Sequence, residues 1–293
     1  MKYVTIVEST NEILGEYSYP LTLRQIYYRL VSNGVIPNSR SAYNGLSKWL
    51  VKAREDGDVD DAKIEDRSRS IIKAVEGYDS PDQFIEAVEY WIHNLGDRYH
   101  ANLWSNQDVY LEIWVEKEAL DRVIARAAQP FQVTVCPTKG YSSYSYIKRD
   151  AVDGRFSEVD KPIICLYFGD HDPSGKQMTE DLQRRSNRYG NGMNIEIKRV
   201  ALTQEQIRKY NLPPNRTKSK DTRTPKYVAE FGDECWELDA IPPDDLQSLV
   251  ISSIEQYIDR DRWNKVLKQE EKDRASLKER FANADLDLGG DSP

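Results

Sequence analysis

The chain has 293 residues, 39% of them hydrophobic and 31% charged, with a formal charge of −8. No apolar run approaches the ~18 residues of a membrane span, and the opening MKYVTIVEST lacks the basic head and apolar stretch of a signal peptide; the sequence predicts a cytoplasmic protein with no membrane partner. Three scattered cysteines exclude a disulfide framework, and three histidines without C-x-x-C or H-E-x-x-H spacing exclude an ordinary zinc site, so any metal is expected to be an oxygen-ligated Mg²⁺ or Mn²⁺.

Length favours two domains over one. Residues 1–76 read as short helices. In LTLRQIYYRLVSNGV, Leu23, Tyr27, Leu30, Val31 and Val35 recur at helical spacing, and Asn33-Gly34 ends the run. SRSAYNGLSKWLVKAREDG predicts a second helix capped at Ser39 or Ser41, with Leu46, Trp49 and Leu50 on its apolar side. DGDVDDAKIEDRSRSI then reads as a turn and a short hairpin. Helix, turn, basic helix and hairpin is the order of a winged helix, a plan whose second helix meets DNA.

Residues 77–104 hold a linking helix, SPDQFIEAVEYWIHNL, capped by Ser80. Over 105–264 the period changes. QDVYLEIWVEKEAL, FQVTVCPTKGYSS and KPIICLYFGDHDPSGKQMTEDL each run from a strand into a turn and a helix, and MNIEIKRVAL adds a strand. Strands alternating with helices predict an α/β domain built on a parallel sheet. In such sheets functional side chains gather at the carboxyl ends of the strands, where Glu116, Lys139-Gly140, Asp170 and Asp172 all fall. LPPNRTKSKDTRTPKY is a basic loop, and WELDAIPPDDLQSLVISSIEQYI a short strand, a Pro-Pro turn and a helix. Residues 265–293 are charge-dense and predict a solvated helix and a frayed tail.

The net charge conceals a division. Leu21 to Arg54 carries six basic residues (Arg24, Arg29, Arg40, Lys48, Lys52 and Arg54) and no acidic one. Lys176 to Lys226 has thirteen basic against five acidic residues, whereas Tyr227 to the end has eight against seventeen. The positive segments suit a phosphate backbone, and the acidic tail keeps other surfaces off it.

Asp170 and Asp172 close the apolar run PIICLYFGDHDPSG. In extended chain, residues i and i+2 point the same way, so the carboxylates repel unless a cation or proton sits between them. DHDPSGKQMTED matches some positions of a calcium loop, but that loop follows a helix and ends in Glu. A haloacid-dehalogenase-type phosphatase places its D-x-D on the first strand of the fold; here two strand-helix units come earlier. Joining the pair to Glu116 gives a three-carboxylate Mg²⁺ site from two strands. The bland alternative is a pair of solvated aspartates capping the following helix.

WVEKEAL, TKGYSS and FGDHDPSG, in this order, resemble the Toprim domain, and TLRQIYYRL resembles the tyrosine-bearing helix of the topoisomerase VI A subunit and its meiotic double-strand-break relatives. The resemblance covers about residues 20 to 250. It implies a winged-helix domain followed by a Toprim domain, with Tyr28 attacking a phosphodiester of double-stranded DNA and becoming joined to the 5′ end. Mg²⁺ held by Glu116, Asp170 and Asp172 would position the phosphate. It further implies a homodimer, the tyrosine of one subunit working with the metal of the other. The chain is shorter than the family's usual A subunit and carries no ATP-binding module, so strand passage would need a separate ATPase subunit of the B type.

Helical spacing puts Tyr27 in the core and Tyr28 on a more polar face with Arg24, four residues earlier. A phenol with a pKa near ~10 needs a cation or base to become a nucleophile, and Arg24 is placed to hold the attacked phosphate or favour the phenolate. The other reading of Tyr28 is an exposed aromatic. Lys117 and Lys139 are either phosphate contacts or surface lysines, and Glu237 and Asp239 either add to the acidic site or belong to a strand ladder. Arg29, Arg40, Lys48, Lys52 and Arg54 are the expected DNA contacts of the N-terminal domain. Two other functions stay open: a Toprim nuclease that cuts with water, and a non-catalytic winged-helix regulator.

Overall fold

A computed structural model of the chain describes residues 3–65, 77–138, 144–217 and 224–282. In chain order it contains α1 (Tyr3–Gly15), β1 (Leu21–Thr22), α2 (Leu23–Ser32), α3 (Arg40–Glu55), β2 (Ile64–Glu65), α4 (Pro81–His93), α5 (Leu95–Arg98), β3 (Tyr110–Val115), α6 (Asp121–Ala128) and β4 (Thr134–Pro137). A π-helix, Tyr146–Arg155, follows. The chain continues with β5 (Ile163–Phe168), α7 (Pro173–Gly190), β6 (Ile195–Ala201), α8 (Gln204–Lys209), β7 (Asn215–Arg216), α9 (Thr224–Phe231), β8 (Glu234–Cys235), α10 (Pro243–Glu255) and α11 (Arg260–Ala282). No helix among the described residues is long and apolar enough to cross a membrane.

These elements form two compact units, each discontinuous in sequence. One comprises residues 1–69 and 108–256, the other 70–107 and 257–293. In the second unit α11 packs on α4 and α5, so the linking helix and the C-terminal helix share one small body. Ser80 caps α4 by accepting from the Gln83 amide at 3.2 Å. Glu270 is almost buried there and accepts from the Ala101 amide at 2.9 Å and from Arg274 at 2.7 Å.

The first unit is mixed α/β around a four-stranded parallel sheet in the order β4-β3-β5-β6. Parallel strands covered on both faces read as near-continuous apolar runs. All six residues of β5 are buried, and so are five of the six in β3. Trp114, Phe156, Tyr167, Met178 and Leu182 fill one core cluster, with α7 packed on β6 and on the π-helix. α6 packs on β4 and α10. Connections leave β3 toward β4 and leave β5 toward β6, so the order reverses between these central strands. That reversal is where α/β sheets leave a crevice beyond their carboxyl ends.

The N-terminal helices pack within this unit. Thr22 and Gln25 form a reciprocal capping box at the start of α2: the Thr22 hydroxyl accepts from the Gln25 amide at 3.3 Å, and the Gln25 side chain accepts from the Thr22 amide at 2.8 Å. Ser39 caps α3 by accepting from the Ala42 amide at 3.2 Å. The hairpin expected after α3 is absent from the described residues. Ile64–Glu65 instead pairs in parallel with Leu21–Thr22, tying the end of this segment to the start of α2, and residues 66–76 lie outside the described set.

Candidate active site at the carboxyl ends of the central strands

Glu116 and Gly169 are the first residues beyond β3 and β5, whose last residues, Val115 and Phe168, are register partners. One Glu116 oxygen, Oε2, accepts from the Asp170 amide at 3.0 Å and the Tyr167 hydroxyl at 3.2 Å. A side chain at Gly169 would place its Cβ 2.6 Å from that oxygen, so only glycine lets the loop approach Glu116 this closely. Asp172 caps α7, its Oδ1 accepting from the Gly175 amide at 2.6 Å and the Ser174 hydroxyl at 3.0 Å. The capping role weighed as the bland alternative is thus taken by one of its two oxygens. Gly175 is equally constrained, since a Cβ there would lie 2.2 Å from the Asp170 carbonyl oxygen.

Asp170 turns the other way. Its Oδ1 accepts from the Leu238 amide at 2.8 Å and lies 3.0 Å from the Lys117 ammonium. Lys117 also pairs with Glu237 at 2.9 Å and Asp239 at 2.6 Å, which places one ammonium among three carboxylates. The Asp239 side chain is wholly buried, and its Oδ1 has no hydrogen-bond partner. Lys117 therefore sits inside the cluster rather than on the surface, and its charge is strongly favoured because three carboxylates outweigh the cost of its burial. Burial pushes the Asp170 carboxyl up to about 7; Lys117 opposes that shift, while Glu116, Asp239 and Glu237 add to it. Burial raises Glu116 as well, with Asp172 adding to the effect.

The D-x-D loop is held from behind by Arg199 on β6, whose guanidinium donates to the carbonyls of Gly169 (3.0 Å), Asp170, Gly175 (2.9 Å) and Leu202 (3.3 Å). His171 exchanges both backbone hydrogen bonds with Trp236, each at 2.9 Å, and its Nδ1 is 2.7 Å from the Tyr227 hydroxyl. Burial among aromatic rings takes its pKa down to about 4, so the imidazole is neutral at physiological pH. This bridge brings Glu237 and Asp239 beside Asp170. Neither Arg199 nor Trp236 carried a recognisable sequence signal, whereas the i, i+2 spacing of Glu237 and Asp239 in WELD did.

α2 packs against the turn at Leu238–Ala240 and, through Tyr27, against Asn38, Ser39 and Tyr43 at the start of α3; both tyrosines are buried, Tyr27 at 4% and Tyr28 at 2% exposure. The expected polar face of Tyr28 is covered by a distant part of the chain, which also disposes of the exposed-aromatic reading. Tyr27 holds the start of α3, its hydroxyl accepting from the Ser39 amide at 2.8 Å and donating toward Asn38 at 2.9 Å. The Tyr28 hydroxyl accepts from the Asn215 amide at 3.3 Å. Burial raises its pKa and Glu237 adds to this, while Asn215, Lys117 and Arg24 pull the other way without cancelling it. Arg24 pairs with Glu237 at 3.1 Å. Tyr28, Arg24, Lys117, Asp170, Asp172 and Glu237 all line one cavity of about 720 Å³.

Neither a protein-family model, nor a curated protein, nor a solved structure matches this chain. The remaining site residues divide by their partners. Arg29 reaches inward to the Ala240 carbonyl at 3.4 Å, Lys52 pairs with Asp56, and Arg54 pairs with Asp61 at 3.1 Å. Arg40 and Lys48 are exposed and make no ion pair among the described residues. Lys139 lies outside the described residues.

The chemistry of the donor set fits a hard divalent cation. Glu116, Asp170 and Asp172 each spend one carboxylate oxygen on protein donors, and their second oxygens make no hydrogen bond among the described residues. The Asp239 oxygen without a partner is a further buried acceptor in the Lys117 cluster. As the side chains stand, no three ligating groups among the described residues converge on one point.

Proposed function

We propose that this chain is a DNA-cleaving protein of the topoisomerase VI A-subunit type, a winged-helix and Toprim arrangement acting through Tyr28 with Mg²⁺ held by Glu116, Asp170 and Asp172. One observation carries the reading: the Tyr28 phenol and the Asp170 and Asp172 carboxylates, about 140 residues apart in sequence, line the same cavity of one chain, so the tyrosine is paired with its own chain's carboxylates and not with a partner's as the resemblance implies. In the reaction the phenolic oxygen forms a bond to phosphorus, the bond from phosphorus to O3′ breaks, and the phenol proton is balanced by protonation of the departing 3′ oxygen. Burial holds that proton on Tyr28, so ionisation must be assisted; Arg24 and Lys117 are the cations whose fields favour the phenolate. When bound, Mg²⁺ supplies charge neutralisation at the phosphate. The same reading pairs two copies to cut both strands of a duplex and, for strand passage, adds a separate ATPase subunit.

The raised pKa of Tyr28 also favours a second reading, in which water rather than the phenol is the nucleophile and the chain is a hydrolytic nuclease. Denaturing gels of labelled DNA incubated with protein and Mg²⁺ separate the two. Transesterification yields protein attached to 5′ ends, abolished by Tyr28→Phe. Cleavage that survives Tyr28→Phe and is lost in Asp170→Ala assigns the hydrolytic reaction. No cleavage with any divalent metal removes both.

A further inference from the structure

We infer that the cavity beside Tyr28 takes an unstacked nucleotide, so that the DNA engaged at this site is a single strand, a frayed end or a duplex opened at the cut rather than a fully stacked helix; the duplex of the proposed reaction must be opened locally before either strand is attacked. The inference deepens the cavity's reading as a DNA site and rests on it. A phosphodiester in a stacked duplex lies on a convex surface. Tyr28 is only 2% exposed, so a phosphate meets its hydroxyl only by entering the cavity. The volume, about 720 Å³, is that of a site for one small ligand rather than a groove for a helix.

The lining is suited to a base and its phosphate. Tyr43 and Trp236 contribute aromatic surface, on which any base stacks because every base has a π-face. The Asn44 amide, on the same wall, makes no hydrogen bond among the described residues and is available to a base edge. Arg40 and Arg216 make no ion pair among the described residues, in contrast to Arg24, which is spent on Glu237. Both arginines also border an adjoining hollow of about 550 Å³, which gives the strand a continuation beyond the bound nucleotide. That hollow carries Asp233 and Glu234 too, so the backbone must follow its arginine side.

Fluorescence anisotropy of the full chain with Mg²⁺ tests this, using a labelled oligo-dT of twelve or so nucleotides, a blunt duplex of the same length and an oligo-dT whose central residues are abasic. The expected result is at least tenfold tighter binding of oligo-dT than of either competitor, with Arg216→Ala and Asn44→Ala each weakening oligo-dT by threefold or more while leaving the thermal melt unchanged. Equal or tighter binding of the duplex overturns the inference. So does an abasic strand that binds as well as oligo-dT, since phosphate contacts alone then suffice, and so does failure to bind any of the three. The covalent-adduct gel is read separately. Base-dependent binding of oligo-dT without adduct sustains the nucleotide pocket and sinks tyrosine chemistry, whereas adduct formed only on duplex does the reverse.

Discussion

Two buried ionic networks hang from the same strand, and they are built differently. Glu112, in the middle of β3, is wholly buried and fully used: it accepts from Arg155 at 2.6 and 3.1 Å, from the Tyr110 hydroxyl at 3.0 Å and from the Trp114 indole at 2.9 Å. Lys117, just past the end of the strand, gathers three carboxylates, leaves an Asp239 oxygen without a partner and borders a cavity. A closed network spends its interactions on the fold. An open one keeps acceptors and charge in reserve, which is how a binding site is expected to differ from a structural ion pair.

The comparison breaks first at Glu112. Glu112→Ala strands the Arg155 guanidinium beside the core and removes the acceptor for two further donors. The expected loss is about 3–5 kcal/mol of unfolding free energy, measured by urea denaturation. Replacing both partners with apolar residues of similar volume, Glu112→Leu with Arg155→Met, should recover the part due to the stranded charge and leave about 1–3 kcal/mol from the Trp114 indole and Tyr110 hydroxyl, which still lack their acceptor. A single variant as stable as wild type would mean that the network contributes nothing to the fold.

Lys117→Met should cost a comparable amount, about 3–5 kcal/mol, because the wholly buried Asp239 carboxylate loses its ion-pair partner, although Asp170 and Glu237 face the cavity, where water can solvate them. Its signature is a gain in cation response. With the ammonium gone, Mn²⁺ should raise the melting temperature of the variant more than that of wild type, by about 2–4 °C for each kcal/mol of added binding. A variant indifferent to Mn²⁺ would show that the carboxylates cannot regroup around an ion.

The same contrast explains what the sequence disclosed. The apolar runs of β3 and β5, each ending on acidic residues, placed Glu116, Asp170 and Asp172 at one sheet edge, because strand period and strand polarity are local properties. The parallel sheet was legible for the same reason. The partners of Lys117 were not: Glu237 and Asp239 lie about 120 residues away, and the His171–Trp236 bridge and the bond from the Leu238 amide to Asp170 bring them close. The burial of Tyr28 was hidden likewise, since Arg24 and Tyr28 look like a solvent-facing stripe until the 238–240 turn packs on α2 and Tyr28 is covered while Arg24 stays partly exposed. The association of α4 with α11 depends on a pairing across more than 160 residues, and no local pattern announces it.

Cysteine reactivity gives the smallest and most direct comparison, because each network has its own thiol. Cys136 is buried and directs its Sγ toward Glu112 Oε2 at 3.8 Å; burial and then the Glu112 charge push its pKa up to about 11. At pH 8 about one such thiol in 10³ is ionised, and even that fraction is inaccessible until the core opens. Cys235 is half-buried and lines the cavity. Iodoacetamide at pH 8, followed by mass spectrometry of peptides, should modify Cys235 in the native protein and Cys136 only at the rate of unfolding. Oligo-dT bound in the cavity should protect Cys235 and leave Cys136 unchanged. Equal rates at the two thiols would remove the distinction between a closed and an open network, whatever the catalytic chemistry.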